Sequence, residues 1–335
     1  MKRLRVIFAA LVFAAMFGCD GSQQQANVNP IEADPGDFKV ALITPNSVND
    51  SGWSALAYEG LLKIGMEMGA DTQNVVASSP AEIADAMRSY AQKEFDLVIG
   101  HGYEYNAIGM EVGADFPDTV FVSTSGDKFS DNVGTFRFYL EQATYLCGMI
   151  AAELSKTGTI GMVGGPNVPS IESTFQAFEA GAKAVKPNIK VLKAYTNSND
   201  DVGAAKQQTL AFIDQGADMI IHQANAAAGG VFEACSERGV LAFGTNSDQK
   251  MDAPPRTVLA SAVIVAGPAF LDLATRVKEG KFEAGVNLQG MKEGAVDLVW
   301  NDTITGGVPQ ELKDLIEATK KKIISGELVV PKLEF

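Results

Sequence analysis

The chain has 335 residues, with 27 basic against 41 acidic side chains and a formal net charge of −14. That balance excludes an electrostatic nucleic-acid binder, whose affinity rests on Lys and Arg neutralising phosphates, and it excludes docking of the folded body on anionic lipid. Its 2 histidines and 3 cysteines are too few, and too scattered, to build a metal centre.

The chain opens on a basic head, Lys2-Arg3-Leu4-Arg5, followed by the apolar run Val6 to Phe17 and then Gly18-Cys19. This layout predicts a secretory signal peptide over residues 1–18. The apolar run is shorter than the ~20 residues of a membrane-spanning helix. Gly18-Cys19 resembles the lipobox of bacterial lipoproteins, with Met16 where Leu is usual. The resemblance implies that Cys19 is acylated, palmitate included, and becomes the new N-terminus. The body would then be anchored to the cell membrane and face the periplasm or the exterior. Residues 19–37 are rich in Gln, Asn and Pro and cannot bury a core, so they read as a flexible tether. No later segment is long and apolar enough to span a bilayer, which leaves the lipid as the expected membrane contact. Loss of Lys2, Arg3 and Arg5 with the signal makes the mature body more acidic still.

From Phe38 onward, roughly 300 residues are enough for two domains. Lys39-Val-Ala-Leu-Ile43 is a short apolar strand that ends at Thr44-Pro45-Asn46. A helical pattern runs from Trp53 to Met68, and Val75-Val76-Ala77 is a second strand. Ser79-Pro80-Ala81-Glu82 opens a helix, with Ser79 as N-cap and Glu82 closing a capping box. Leu97 to Gly100 and Val120 to Ser123 are further strands. Such continuous apolar runs belong to parallel sheets covered on both faces. The pattern then restarts. Strands are predicted at Thr159–Val163, Lys190–Leu192, Asp218–Ile221 and Leu241–Phe243, with helices at Ser173–Ala184 and Asp201–Gln215. Phe95-Asp-Leu-Val-Ile-Gly100 mirrors Ala217-Asp-Met-Ile-Ile-His222.

The fold class is therefore α/β, with two doubly wound Rossmann-like lobes joined by a hinge of several crossings. Residues 38–137 plus 259–285 are assigned to the first lobe and 138–258 plus 286–335 to the second. The chain is expected to be a monomer. Cys147 and Cys235 sit in apolar, helix-like surroundings and are expected as separate buried thiols, with a disulfide as the alternative.

Open α/β sheets bind ligands outside the carboxyl ends of their strands, so a cleft between the lobes is the predicted site. The first lobe supplies residues 44–53, 100–104 and 123–125, and the second supplies 164–167, 222–225 and 244–248. These loops are rich in Asn, Ser, Thr and Gly, which suits a neutral, polar, ring-bearing ligand. They lack the basic cluster that phosphate or carboxylate recognition requires. Asn49 and Asp50 precede a helix and serve either as caps or as cleft lining. His101 and His222 occupy equivalent loops and read as hydrogen-bonding walls. No Gly-x-Ser-x-Gly elbow, Walker loop or dinucleotide fingerprint is present. Gly161-Met-Val-Gly-Gly-Pro166 lacks the Lys that would reach a phosphate. No enzymatic chemistry and no cofactor are expected.

Several stretches together resemble the basic membrane protein family, also called the purine nucleoside receptor lipoprotein family. They are Val48-Asn-Asp-Ser-Gly-Trp-Ser-Ala-Leu-Ala-Tyr-Glu-Gly60, Gln142-Ala-Thr-Tyr-Leu-Cys-Gly148, Gly158-Thr-Ile-Gly-Met-Val-Gly-Gly165, Phe178-Glu-Ala-Gly181, Gln215-Gly-Ala-Asp218, Ser247-Asp-Gln249 and the closing Gly326-Glu-Leu-Val-Val-Pro331. The resemblance implies a type I periplasmic binding protein, lipid-anchored, that delivers a purine nucleoside or base to an ABC permease. It places Trp53 where an aromatic stacks on the purine, Asp50 on a motif acid near the ligand, and Tyr103 on an aromatic position. Asn225 lies in a run where relatives are Gly-rich. Asn246 stands where many members have an Asp that grips the ribose, ahead of Asp248. An amide bonds a diol without a carboxylate's strength. An extracytoplasmic sensor of the same fold, or a nucleoside-hydrolysing enzyme, are the alternatives.

Overall fold

The computed structural model describes residues 36–49, 52–304 and 308–334. The signal peptide, Cys19, the tether up to residue 35 and Asp50 lie outside the described residues. The first strand begins at Gly36, two residues before the expected domain start.

The first sheet is built from β1 (Gly36–Thr44), β2 (Ala70–Val76), β3 (Leu97–Gly100), β4 (Val120–Ser123) and β5 (Val133–Phe138). Between them run α1 (Trp53–Met68), α2 (Pro80–Gln92) and α3 (Glu104–Gly113). Val40 to Ile43 are all completely buried, as a strand covered on both faces requires. The capping box opens α2 as expected: Glu82 N donates to Ser79 Oγ at 3.3 Å and Ser79 N to Glu82 Oε2 at 3.1 Å. The second lobe repeats the plan with α4 (Glu141–Leu154), β6 (Thr159–Gly164), α5 (Pro169–Val185), β7 (Lys190–Tyr195), α6 (Val202–Asp214), β8 (Met219–Gln223), α7 (Ala228–Arg238), β9 (Leu241–Asn246) and β10 (Val258–Ile264). The chain ends with α8 (Ala266–Lys278), β11 (Val286–Gln289), β12 (Val296–Trp300) and α9 (Gln310–Ser325).

The sheet orders are β11-β5-β4-β3-β1-β2 and β12-β10-β9-β8-β6-β7. Each is the doubly wound 2-1-3-4-5 order with one added edge strand, and each reverses between its first and third strands. The two edge strands differ, since β11 pairs parallel with β5 whereas β12 pairs antiparallel with β10.

The strand pairing corrects the expected lobe boundaries at two places. Val258–Ile264 was assigned largely to the first lobe, yet β10 lies beside β9 in the second sheet. Val286–Gln289 was assigned to the second, yet β11 lies beside β5 in the first. Between them α8 packs on α1, with Phe270 against Phe136 and Phe138.

The chain thus passes between lobes three times: at Tyr139–Leu140, at Val265, and over Gly290–Ala295. Hydrogen bonds tie these segments together. Tyr139 N donates to Gln289 O at 2.9 Å, Met291 N to Gln142 Oε1 at 2.7 Å and Val265 N to Ala295 O at 2.9 Å. The carboxyl-terminal tail returns to the first of them, where the Tyr139 hydroxyl donates to the Val330 carbonyl. Cys147 and Cys235 are separate buried thiols, and burial raises the pKa of each.

Candidate functional site

Each sheet's reversal point lies between two strand ends held in register. In the first lobe Ile43 is level with Gly100, and His101 N donates to Ile43 O at 2.8 Å. In the second, Gly164 is level with Gln223, and Gly165 N donates to Gln223 O at 2.8 Å. The loops that leave these four strand ends face each other across a cavity of about 350 Å³. That lies within the ~300–1,000 Å³ range of small-molecule sites.

The first-lobe wall is aromatic. Trp53 begins α1 and stacks on the His101 ring, with centroids 3.9 Å apart and planes at 22°. Two further bonds lock the pair: Trp53 Nε1 donates to His101 O at 3.2 Å, and His101 Nε2 lies 2.8 Å from Trp53 O. A carbonyl only accepts, so Nε2 carries the proton and Nδ1 accepts from Thr124 Oγ1 at 2.9 Å. Phe138 abuts the indole edge-on at 6.5 Å. The indole is thereby stacked on His101 and set perpendicular to the Phe138 ring, while Trp53 itself lines the cavity.

The second-lobe wall is polar and amide-rich, with Asn199, Gln223, Asn225 and Asn246 beside Ser170 and Thr174. Asn225 and Asn246 have φ of 42° and 69°. In that left-handed region asparagine is the best tolerated side chain after glycine. The amide at 246 therefore also suits its backbone. Ile264 and Ile171 supply apolar lining.

Of the expected residues, Trp53, Tyr103, Asn225 and Asn246 line the cavity together. The other three described ones do not. His101 is completely buried and supports Trp53 from behind. Asn49 is exposed on its loop. Asp248 is exposed and ion-paired with Lys250 at 2.8 Å. His222 is likewise internal: its Nε2 donates to Gln249 Oε1 at 2.8 Å, and Ala224 N donates to its Nδ1 at 3.3 Å. Burial pulls its pKa down to about 4, with the Gln249 bond opposing, so it is neutral at pH 7.

Sequence reasoning missed the cavity's charged floor. Arg137 is the penultimate residue of β5, one before Phe138, and Glu141 begins α4. Their side chains, 3% and 2% exposed, form an ion pair that lines the cleft. Glu141 also accepts from Ser173 Oγ, and Arg137 Nη1 donates to Leu333 O at 2.7 Å. Among the described lining residues Arg137 is the basic side chain, and it is matched by its own carboxylate. Two further residues went unread. Ser125 Oγ is buried in the cleft with no hydrogen-bond partner among the described residues. Glu104 borders the cleft and is exposed, and desolvation of its carboxyl by the surrounding protein raises its pKa.

Comparison with known proteins decides the family. The model described as "ABC transporter substrate-binding protein PnrA-like", of the Bmp family, matches residues 38–334. The chain belongs to the Bmp family. A Brucella abortus relative described as a purine-binding protein is 31% identical over 87% of this chain and 82% of its own length. Lactococcus lactis has an ABC transporter nucleoside-binding protein that is 27% identical, with 99% of both chains covered. The crystal structure of a transcriptional activator of the comK gene from Bacillus halodurans superposes with a TM-score of 0.75 at 24% identity, over 87% of this chain and 99% of that one. At that identity the likeness concerns the fold alone. The two lobes and their connections are those of a type I periplasmic binding protein. Bmp family membership gives a substrate-binding role in transport and a place at the membrane or in the periplasm, in a family and fold typical of non-catalytic solute-binding proteins.

Proposed function

We propose that this Bmp protein is the lipid-anchored capture subunit of an ABC importer and that its ligand is a purine nucleoside or purine base. The observation that carries the reading is the Trp53 platform. An indole locked in place by His101 and Phe138 opens onto a cleft whose far wall is made of amides and hydroxyls. A flat heteroaromatic ring stacks on the first wall while the second hydrogen-bonds its edges or a sugar. The purine- and nucleoside-binding relatives support the same ligand class. Closure of the lobes about the three crossings would enclose the ligand, and the closed form would dock on a permease. The ligand leaves chemically unchanged.

Two results are expected. Trp53→Ala should weaken nucleoside binding by about 1–3 kcal/mol, the usual worth of base–aromatic stacking, or roughly 5- to 150-fold in affinity. Calorimetry with adenosine, guanosine, adenine and guanine measures it. Binding should also quench tryptophan fluorescence, and the loss of that signal in the variant would assign it to Trp53 rather than Trp300. An unchanged dissociation constant would leave Trp53 as packing alone.

The anchor has its own test. Cys19→Ala should move the body from the membrane fraction to the soluble fraction or stall processing. A single acyl chain gives only marginal membrane binding, so firm retention requires the several chains of a lipoprotein. Wild-type protein recovered fully soluble from cells would remove the anchor from the proposal.

A further inference from the structure

Among the described residues that line the cleft, Glu104 is the acid with no ion-pair partner. It begins α3 and lines the cavity beside Gly102 and Tyr103. Its carboxyl folds back over Gly102, so a Cβ at that position would lie 2.6 Å from Oε2 and 3.0 Å from Oε1. Among the described residues no other side chain donates to it; desolvation raises its pKa, and the nearby backbone N–H of Glu104 itself opposes that. The nearby acid Glu141 has Arg137 and Ser173; Glu104 has no counterpart to either.

A carboxylate held this way is positioned but unfinished. One side rests on the loop and the amino end of a helix, which favours negative charge. Its remaining lone pairs face a cleft in which desolvation already raises its pKa. Only hydrogen-bond donors can satisfy them, because an ionised carboxylate is an acceptor at every position. Building on the purine reading above, we infer that Glu104 reads the ring edge of the bound base and selects 6-oxopurines, guanine above all, over adenine.

The geometry of the loop carries the choice of atom set. Glu104 lies three residues after His101, whose ring backs the Trp53 platform. Trp53 and Glu104 also line the same cavity, so a ring stacked on Trp53 turns its edge into the space that Glu104 borders. Guanine presents N1–H and the 2-amino group side by side on one edge, and the two match the two oxygens of a carboxylate. Hypoxanthine presents N1–H alone. Adenine presents a bare N1 lone pair beside its 6-amino group, so one carboxylate oxygen would face an acceptor. A site built to bond a donor rejects the analogue that lacks it, because closure of the lobes over the ligand would leave its polar group unpaired and out of water.

The test is titration calorimetry of the full protein with guanosine, inosine and adenosine, in wild type and in Glu104→Gln. Wild type should prefer guanosine to adenosine by at least about tenfold, with inosine between them. Glu104→Gln should lose about 10- to 100-fold for guanosine, consistent with two charge-assisted bonds becoming one neutral one. It should hold or gain for adenosine, since a carboxamide can donate to N1 while accepting from the 6-amino group. Equal wild-type affinities, or an equal loss for all three nucleosides in the variant, would overturn the inference while leaving the purine reading intact. A fall in thermal stability with unchanged affinities would reduce Glu104 to a helix-end charge. If wild type binds none of the three, the purine reading fails and takes this inference with it.

Discussion

Glu141→Ala is expected to lower the free energy of unfolding by about 3–5 kcal/mol, the cost of breaking a buried ion pair from one side. The substitution leaves the Arg137 guanidinium 3% exposed in the cleft floor with its carboxylate gone. It also removes the acceptor of the Ser173 hydroxyl, which itself accepts from Leu333 N at 2.9 Å. The first crossing, α5 and the carboxyl-terminal tail all meet at this one cluster. The reverse comparison separates charge from packing. Replacing both members, as Arg137→Met with Glu141→Leu, removes the guanidinium together with its carboxylate and should recover most of the loss. It should not recover all of it, because the bond from Arg137 to Leu333 O goes too. Denaturant unfolding of the single and double variants measures both. A loss below about 1 kcal/mol for Glu141→Ala would mean that solvent entering the cleft stabilises the guanidinium as well as the carboxylate does.

That cluster also marks where the sequence stopped being readable. Local signals gave the elements they physically control. Continuous apolar runs gave β1, β3 and β4, the helical period placed α1 at Trp53–Met68, and Ser79-Pro80 with Glu82 marked the start of α2. Arg137 and Glu141 escaped because their pairing spans a strand end, a crossing and a helix start, a geometry set by the hinge and by no periodicity. The same limit explains the misplaced β10 and β11. Which sheet a strand joins depends on backbone pairing across the molecule, and Val258–Ile264 is as apolar as any first-lobe strand. At the site, loop identity was legible but side-chain direction was not. His101 follows Gly100 directly, and the strand's alternation carries its ring behind Trp53 rather than into the cavity. Asn49 and Asp248 lie on segments that have already risen past the cleft into solvent. Trp53, Asn225 and Asn246 sit where the loops still border the reversal points, and they line the cavity.

The polar wall of the cleft depends on how closely α5 approaches α4, and a single methyl group tests that. A Cβ at Gly148 would lie 2.0 Å from Phe178 O, and one at Gly181 would lie 2.0 Å from Tyr145 O. The two glycines are reciprocal notches, each receiving the other helix's backbone. Carbonyls in a helix cannot swing aside as a long side chain can, so Gly148→Ala must push the helices apart by an ångström or more. That separation strips contacts from the whole interface, and a gap of ~0.5–1 Å already forfeits a quarter to a half of each atom pair's dispersion energy. The expected destabilisation is about 3 kcal/mol or more, at the upper end of overpacking effects. Gly229→Ala is the matched control, because open space surrounds that glycine while a Cβ at its neighbour Gly230 would lie 2.1 Å from Val202 O. It should be stabilising by about 0.4–1 kcal/mol through reduced freedom of the unfolded chain. Urea midpoints of the two variants should therefore move in opposite directions. Because α5 carries Ser170, Ile171 and Thr174 into the cleft and α4 begins at Glu141, Gly148→Ala should also weaken ligand binding, whereas Gly229→Ala should leave it unchanged. Equal midpoints for Gly148→Ala and wild type would show that the α4–α5 contact yields at little cost, and the cleft wall would then owe its position to the hinge bonds instead.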